Sequence, residues 1–394
     1  MKIRSMTLLV LAEVAAMSLW FVSSAILVDL QNEVTLDALQ SAMLVSGVAA
    51  GFVVGALVVA TFGIADRFDP RKVFALSAIV AAIANLLMLG ATPGGVGSIT
   101  LRILTGFALA GVYPVGMKIA VGWGIKDRGW LVGLLVGGLT LGSASPHLLS
   151  YLGGTNWRLT TVLASGLAML AALLVMLTRT GPHHTAAAKM NFSVIALAWT
   201  DTRLRRAYLG YLGHMWELYA LWAWIAPAAV ASFLLQTDAA QAGQWAKLTA
   251  FVAIGSGALL CPFAGKLADA VGKAELTILS MAISGTSAIA AAMVFGGPIW
   301  LMVVVFVVWG LSVIPDSAQF SAMVADLAPP ESAGSLMSLQ TALGFALTIL
   351  TVQATPLVVD ALGWRWLFCI LALGPAVGIV SMSGLTRARL RSRR

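Results

Sequence analysis

Apolar runs of about twenty residues or more recur from one end of the chain to the other, each long enough to cross a hydrocarbon core of about 30 Å at about 1.5 Å per residue. Within lipid, a spanning segment must satisfy its own backbone N–H and C=O groups, so these runs read as helices. Of the 394 residues, 60% are hydrophobic and 10% charged, against about 25% charged in ordinary soluble domains. The mean hydropathy is +0.94. The runs predict twelve spans, at 5–30, 37–64, 72–91, 98–123, 129–153, 157–178, 206–235, 242–265, 275–296, 299–326, 334–360 and 364–385. The first follows "MKIR", as a signal peptide would, but its length of roughly 25 residues suits a retained helix. The expected class is an all-α integral membrane protein with no soluble domain.

The formal net charge of +8 reads as orientation. Lys2, Arg4, Arg67, Arg71, Lys72, Lys126, Arg128, Arg203, Arg205, Arg206, Lys266, Lys273 and the tail "RARLRSRR" share one side of a twelve-span topology. The opposite loops, "DLQNEVTLDALQ" and "QTDAAQAG", carry acids and amides but no Lys or Arg. By the positive-inside rule the basic side is cytoplasmic, with both termini on it. The expected surroundings are a lipid bilayer, with no nucleic-acid partner, and the chain is expected to be a monomer.

Cys261 and Cys369 lie within spans and read as small apolar packing residues. His183 and His184 lack a third ligand beside them, so neither a metal nor a cofactor is expected. No GxxxxGK[ST] stretch is present, which argues against ATP as a driver. No Ser, His and acid set stands at a shared depth, which argues against an enzyme.

The polar stretch from Arg179 to Arg206, whose latter part reads as an amphipathic surface helix, divides the spans into six plus six. The predicted division is 1–178, a linker 179–205 and 206–394. The halves repeat at nearly constant offset. Asp66 in "GIADRFDPRK" and Asp269 in "GKLADAVGK" are 203 positions apart, and Trp157 and Trp364 are 207 apart. Glu13 matches Glu217 and Trp20 matches Trp224, both at an offset of 204.

On these residues the sequence resembles the major facilitator superfamily over its whole length. The resemblance implies two pseudo-symmetric six-helix bundles around a central cavity. The family's loop motif G-x-L-A-D-R-x-G-R-K is approached by Gly63, Asp66, Arg67 and Arg71, with Asp69 in place of the second glycine. Its second copy keeps Gly265, Leu267, Ala268, Asp269, Gly272 and Lys273, with Ala270 where the arginine belongs. The resemblance implies that such clusters latch the outward-facing state; a basic loop that only sets topology is the alternative. Helix 4 matches the family's R-x-x-Q-G pattern at Arg102 and Gly106, with Thr105 for the glutamine. Helix 5 shares Gly133, Gly137 and Gly142 with the exporter motif but has Gly138 for its proline, and close helix packing accounts for the same glycines.

A charge near the bilayer centre costs at least about 2.5 to 3.5 kcal/mol, so such residues face a cavity or a partner. The deep ones are Glu13 on helix 1, Arg102 and Lys118 on helix 4, His214 and Glu217 on helix 7, and Asp316 on helix 10. Helices 1, 4, 7 and 10 line the cavity in the family. His214, Glu217 and Trp224 lie near one helical face, and Glu13 and Trp20 repeat the spacing. Pro315 predicts a break in helix 10 beside Asp316 and Gln319, and Tyr113 and Pro114 hold the related place on helix 4. Lys118 is placed to snorkel, and His147 and Lys247, towards the outer helix ends, to snorkel or to make a local hydrogen bond.

These residues predict a secondary active transporter of the bacterial inner membrane that moves a small solute by alternating access, coupled to protons. Glu217 and Glu13 are the expected proton or substrate carboxylates, with His214 beside Glu217, Asp316 following, and Arg102 as counter-charge. A proton-independent uniporter and a non-transporting sensor or scaffold on the same fold are the alternatives.

Overall fold

The computed structural model describes residues 1–124, 127–183, 196–329 and 332–392, with only the backbone of Asp66 and of residues 387–392. The expectations placed on Lys126, His184, the Asp66 side chain, the tail arginines and most of the surface helix lie outside the described residues.

Twelve helices span the molecule: α1 (Lys2–Glu33), α2 (Ala38–Phe62), α3 (Pro70–Gly90), α4 (Val96–Val121), α5 (Arg128–Leu152), α6 (Trp157–Met176), α7 (Thr202–Phe233), α8 (Ala239–Val271), α9 (Lys273–Val294), α10 (Ile299–Leu327), α11 (Ala333–Leu362) and α12 (Trp364–Thr386). Among the described residues, eleven are long and apolar enough to cross a membrane on composition alone. The exception is α7, whose middle carries His214, Glu217 and three tryptophans. Both chain ends lie on one face, called here the terminal face, and the opposite one the far face.

Acidic residues in the short loops start several helices by capping otherwise unpaired N–H groups. Asp37 accepts from Gln40 N at 2.7 Å and Gln40 reciprocates in a capping box. Asp201 accepts from Arg203 N and Leu204 N of α7, and Asp238 from Gln241 N of α8. Asp69 precedes α3, whose first residue is Pro70. A short helix, Leu197–Thr200, leads into α7.

Among the described residues four spans are discontinuous, α12 only at Ala372. Helix α10 breaks between Val313 and Ser317, around Pro315, and α4 breaks between Leu109 and Tyr113, just before Pro114. The break in α1, between Met17 and Val22, has no proline. Helix α7, the repeat partner of α1, runs unbroken through Pro227.

Helices α1–α6 and α7–α12 form two six-helix bundles that meet along two seams. Helix α5 packs on α8 so closely that a Cβ at Gly133 would lie 2.7 Å from Cys261 O, and one at Gly137 3.0 Å from Ala258 O. On the other side of α5, Gly138 and Gly142 admit α1, at Glu13 and at Val14 and Met17. The glycines of α5 thus serve two tight helix contacts. Along the other seam, rings from both halves interlock just beyond the membrane middle. Trp20 packs on Tyr219 (5.7 Å) and Phe345 (5.6 Å), Phe21 on Trp222 (5.9 Å), and Phe52 on Phe345 (4.7 Å). Further towards the far face, Gln353 donates to Ser46 Oγ. These contacts join the two halves on the far side of the α2 and α11 seam.

Candidate functional site

The centre of the second half holds His214, Glu217 and Asp316, each fully enclosed. Glu217 lies at the middle of α7, fifteen residues into its thirty-two, and aims into its own bundle. Ser284 Oγ of α9 donates to one carboxylate oxygen at 2.5 Å, and Trp309 Nε1 of α10 donates to the other at 3.1 Å. His214, one turn earlier, turns to Asp316 at the α10 break, with Nδ1 and Oδ1 3.1 Å apart. That contact is an ion-pair approach outside hydrogen-bond geometry. Tyr211 and Phe320 flank the imidazole at ring distances of 6.1 and 5.6 Å. Gln319, also buried, begins the helical turn that restarts α10, its N–H donating to Asp316 O. The acidic partner of His214 is therefore Asp316 and not the neighbouring Glu217, because the α10 break turns Asp316 towards α7.

The first half differs. Glu13 is fully buried, and neither carboxylate oxygen has a hydrogen-bond partner among the described residues. It lies against α4, where a Cβ at Gly116 would come within 2.7 Å of Oε2, and against α5 at Gly138. Tyr113, half-buried at the restart of α4, is within electrostatic reach of Glu13, Tyr211 and Cys261. The two repeat-related carboxylates thus share a depth but not an environment.

Arg102 corrects the expectation of a counter-charge. Its guanidinium donates to Asn85 Oδ1 at 2.9 Å, to Leu19 O at 3.1 Å and to Trp20 O at 2.8 Å, and among the described residues to no carboxylate. The break in α1 frees those carbonyls deep in the bundle, and a planar multi-donor cation is the side chain that can satisfy several acceptors at once. Asn85 is held in turn by Thr161 O and Ser165 Oγ. Trp20 packs in the ring cluster between the halves, while Trp224 donates Nε1 to Val352 O of α11 within its own half. The two repeat-related indoles therefore have different surroundings.

The sequence model of the Major Facilitator Superfamily matches residues 8–237, more than half of the chain. The chain belongs to this superfamily. Two solved members share its fold. A partially occluded, inward-open conformation of the xylose transporter XylE from E. coli aligns over 97% of each chain at 13% identity, with a TM-score of 0.73. The nucleoside transporter NupG, in a mutant form, aligns over 97% of this chain and 99% of its own at 16% identity, with a TM-score of 0.70. No curated protein matches the sequence. The chain is a multi-pass membrane transporter, not an enzyme.

The superfamily's loop motifs are placed differently in the two halves. Gly63 ends α2 in the left-handed region (φ 58°), so the chain reverses there without a Cβ penalty. Arg67 closes the short helix Ile64–Arg67 and is exposed. Arg71 holds Asp69 at 2.6 Å and reaches Thr178 O, tying the start of α3 to the end of α6. This guanidinium keeps the Asp69 carboxyl below the usual carboxylate range. In the second copy Gly265 sits inside α8 against Gly129, and the turn is made by Gly272 (φ 112°), because α8 runs on past the motif's first glycine. Lys273 pairs with Asp326 of α10, and Asp269 lines a pocket of about 540 Å³ with them at the terminal face.

Sequence reasoning missed Asn85, Ser284, Trp309 and Asp29. Asn85, Ser284 and Trp309 are polar groups on apolar helices that the sequence alone does not aim at any partner. Lys247, expected to snorkel or to make a local hydrogen bond, is buried against Asp29 of the other half, with both side chains 6% exposed or less. Lys118 donates to Ala65 O.

Proposed function

We propose that the protein is a proton-coupled secondary active transporter that moves a small solute by alternating access. One observation carries the reading: His214, Glu217 and Asp316 are enclosed together at a helix break, two carboxylates to one imidazole, in a half whose Lys and Arg stand towards the membrane faces. Burying the surplus negative charge in this medium costs several kcal/mol, and a bound proton removes it. Opening the bundle to water favours the charged form again, so a change of access becomes a change of proton occupancy. Glu13 is the second carboxylate able to carry a proton. Trp20, Tyr113, Trp224 and Gln319 complete the proposed substrate and proton site, and Arg102 supports it by holding the α1 break.

The far-side ring cluster supports an inward-facing state, with the basic terminal face cytoplasmic and the protein in a bacterial inner membrane as a monomer. The fold neighbours are transporters of a sugar and a nucleoside, which supports a small solute as cargo. The proposed units are 1–178 and 206–394, joined by the linker 179–205, with Gly63, Asp66, Arg67, Arg71, Gly265, Asp269 and Lys273 as the gating loops. The test uses proteoliposomes. A thermal-shift screen first identifies a solute, and its uptake is then followed with and without an imposed pH gradient. Wild-type accumulation that follows the gradient, lost in Glu217→Gln and Asp316→Asn, supports the reading. Uptake indifferent to the gradient in the wild type refutes proton coupling.

A further inference from the structure

The two halves are joined at the far face by a buried ion pair. Lys247 Nζ of α8 lies 2.7 Å from Asp29 Oδ2 of α1, 218 residues away in sequence. Each group has a further partner on α5 or the loop after it. Ser150 Oγ of α5 donates to Asp29 Oδ2, and Lys247 donates to Gly154 O at 2.6 Å. The pair therefore crosses the surface along which the halves must separate for the far side to open.

We propose that Asp29 and Lys247 form the latch of the far-side gate, and that the stability of the far-closed state depends on their charge pairing. Three features point to it. First, either charge alone would be buried without compensation, which penalises far more than the intact pair. Second, both groups sit near helix ends, Asp29 four residues before Glu33 and Lys247 eight residues after Ala239, so a modest separation delivers them to water. A buried pair of this kind holds one state firmly and still releases.

Third, the repeat does not contain a second copy. At the offset of 204 that relates Glu13 to Glu217, Asp29 corresponds to Phe233 and Lys247 to Met43, both apolar. On the α2 and α11 seam the halves are held instead by the ring cluster and by Gln353 with Ser46. Among the described residues the latch is thus on one seam only, the one that the α5 and α8 contact also joins. This inference rests on the alternating-access reading.

The test uses the full chain in nanodiscs, with Cys261 and Cys369 replaced by alanine. One cysteine at Ser46, which is buried at the far seam, reports reaction with a membrane-impermeant maleimide. Spin labels at Asn32 and Gln236, exposed at the far ends of α1 and α7, report separation in a parallel preparation. Asp29→Asn and Lys247→Met singly are expected to raise labelling by about tenfold or more and to lengthen the spin distance, because one buried charge is then stranded. The exchange Asp29→Lys with Lys247→Asp is expected to return both readouts towards wild type, whereas the double neutral variant Asp29→Asn with Lys247→Met is expected to lie between the singles and wild type, less open than the singles because no charge is stranded and more open than wild type because no pair holds the halves. Single variants that label at the wild-type rate, an exchange as open as the singles, or a double neutral variant as closed as wild type, overturn the latch. The wild-type protein serves as the control for the underlying reading: a far side that never opens under any solute or pH condition refutes alternating access itself, whatever the variants do.

Discussion

Replacing Arg102 with methionine tests whether this arginine is a structural clasp. The guanidinium makes three hydrogen bonds, one to Asn85 and two to the carbonyls freed by the α1 break. Hydrogen bonds to a charged group contribute about 1.5 to 3 kcal/mol each, so roughly 4.5 to 9 kcal/mol of interaction is lost. Against that, methionine removes a buried charge whose insertion cost is about 2.5 to 3.5 kcal/mol on the lenient scale. The net expectation is a destabilisation of about 1 to 6.5 kcal/mol, and it comes from stranded carbonyls that methionine cannot serve. Arg102→Lys should fall between, since one compact ammonium cannot span the three acceptors that the planar fork reaches. Reversible unfolding in mixed micelles, followed by tryptophan fluorescence, measures the difference. A second arm separates the clasp from a counter-charge. If Arg102 balanced Glu13, the pair Glu13→Gln with Arg102→Met would recover stability; the clasp geometry predicts no recovery. A methionine variant within about 1 kcal/mol of wild type, or a rescue by Glu13→Gln, refutes the argument.

Other perturbations follow from the same contacts. Gly106→Ala places a Cβ 1.9 Å from Val48 O and Gly51→Ala one 1.8 Å from Ile103 O, so both should lose at least about 1 to 3 kcal/mol in the same unfolding assay. Gly166→Ala meets nothing within 4 Å and should change stability little or raise it, which makes it the control. Trp309→Phe keeps the ring packing but removes a donor to Glu217 and should cost about 1 to 3 kcal/mol. The Asp69 carboxyl is held below its ordinary value by Arg71, so the pair stabilises above about pH 4 and is lost as pH falls through the folded value. Both side chains are partly exposed, so the contribution is below about 1 kcal/mol. Arg71→Gln should accordingly flatten the acid limb of the stability profile and leave the neutral region nearly unchanged.

The fold was legible because its cause is one-dimensional. Lipid requires about twenty apolar residues per span, and the repeat offset survives in sequence even where the chemistry around it has diverged. The breaks at Pro114 and Pro315 were legible for the same reason: a missing N–H is a property of the residue itself. The α1 break has no such mark. It persists because Arg102, 82 positions away, accepts the burden of Trp20 O, and a partnership of that range leaves no local pattern.

The site was legible by depth but not by direction. Helical spacing puts His214 and Glu217 one turn apart, yet it does not say that α10 turns Asp316 towards the imidazole while α9 and α10 take both oxygens of Glu217. The twin carboxylates show what the repeat does transmit. Glu13 and Glu217 keep their positions in two related bundles, but the donors on Ser284 and Trp309 fall at 80 and 105 under the offset of 204, where the first half has Val80 and Thr105. Thr105 spends its hydroxyl on Leu101 O, which leaves Glu13 without either neutral donor. Asp29 and Lys247 lie at helix ends where a solvated charge and a buried one look alike in sequence, because the surface that buries them belongs to the other half. Pseudo-symmetry therefore fixes where a charge can stand, and the packing between unlike halves decides what it does.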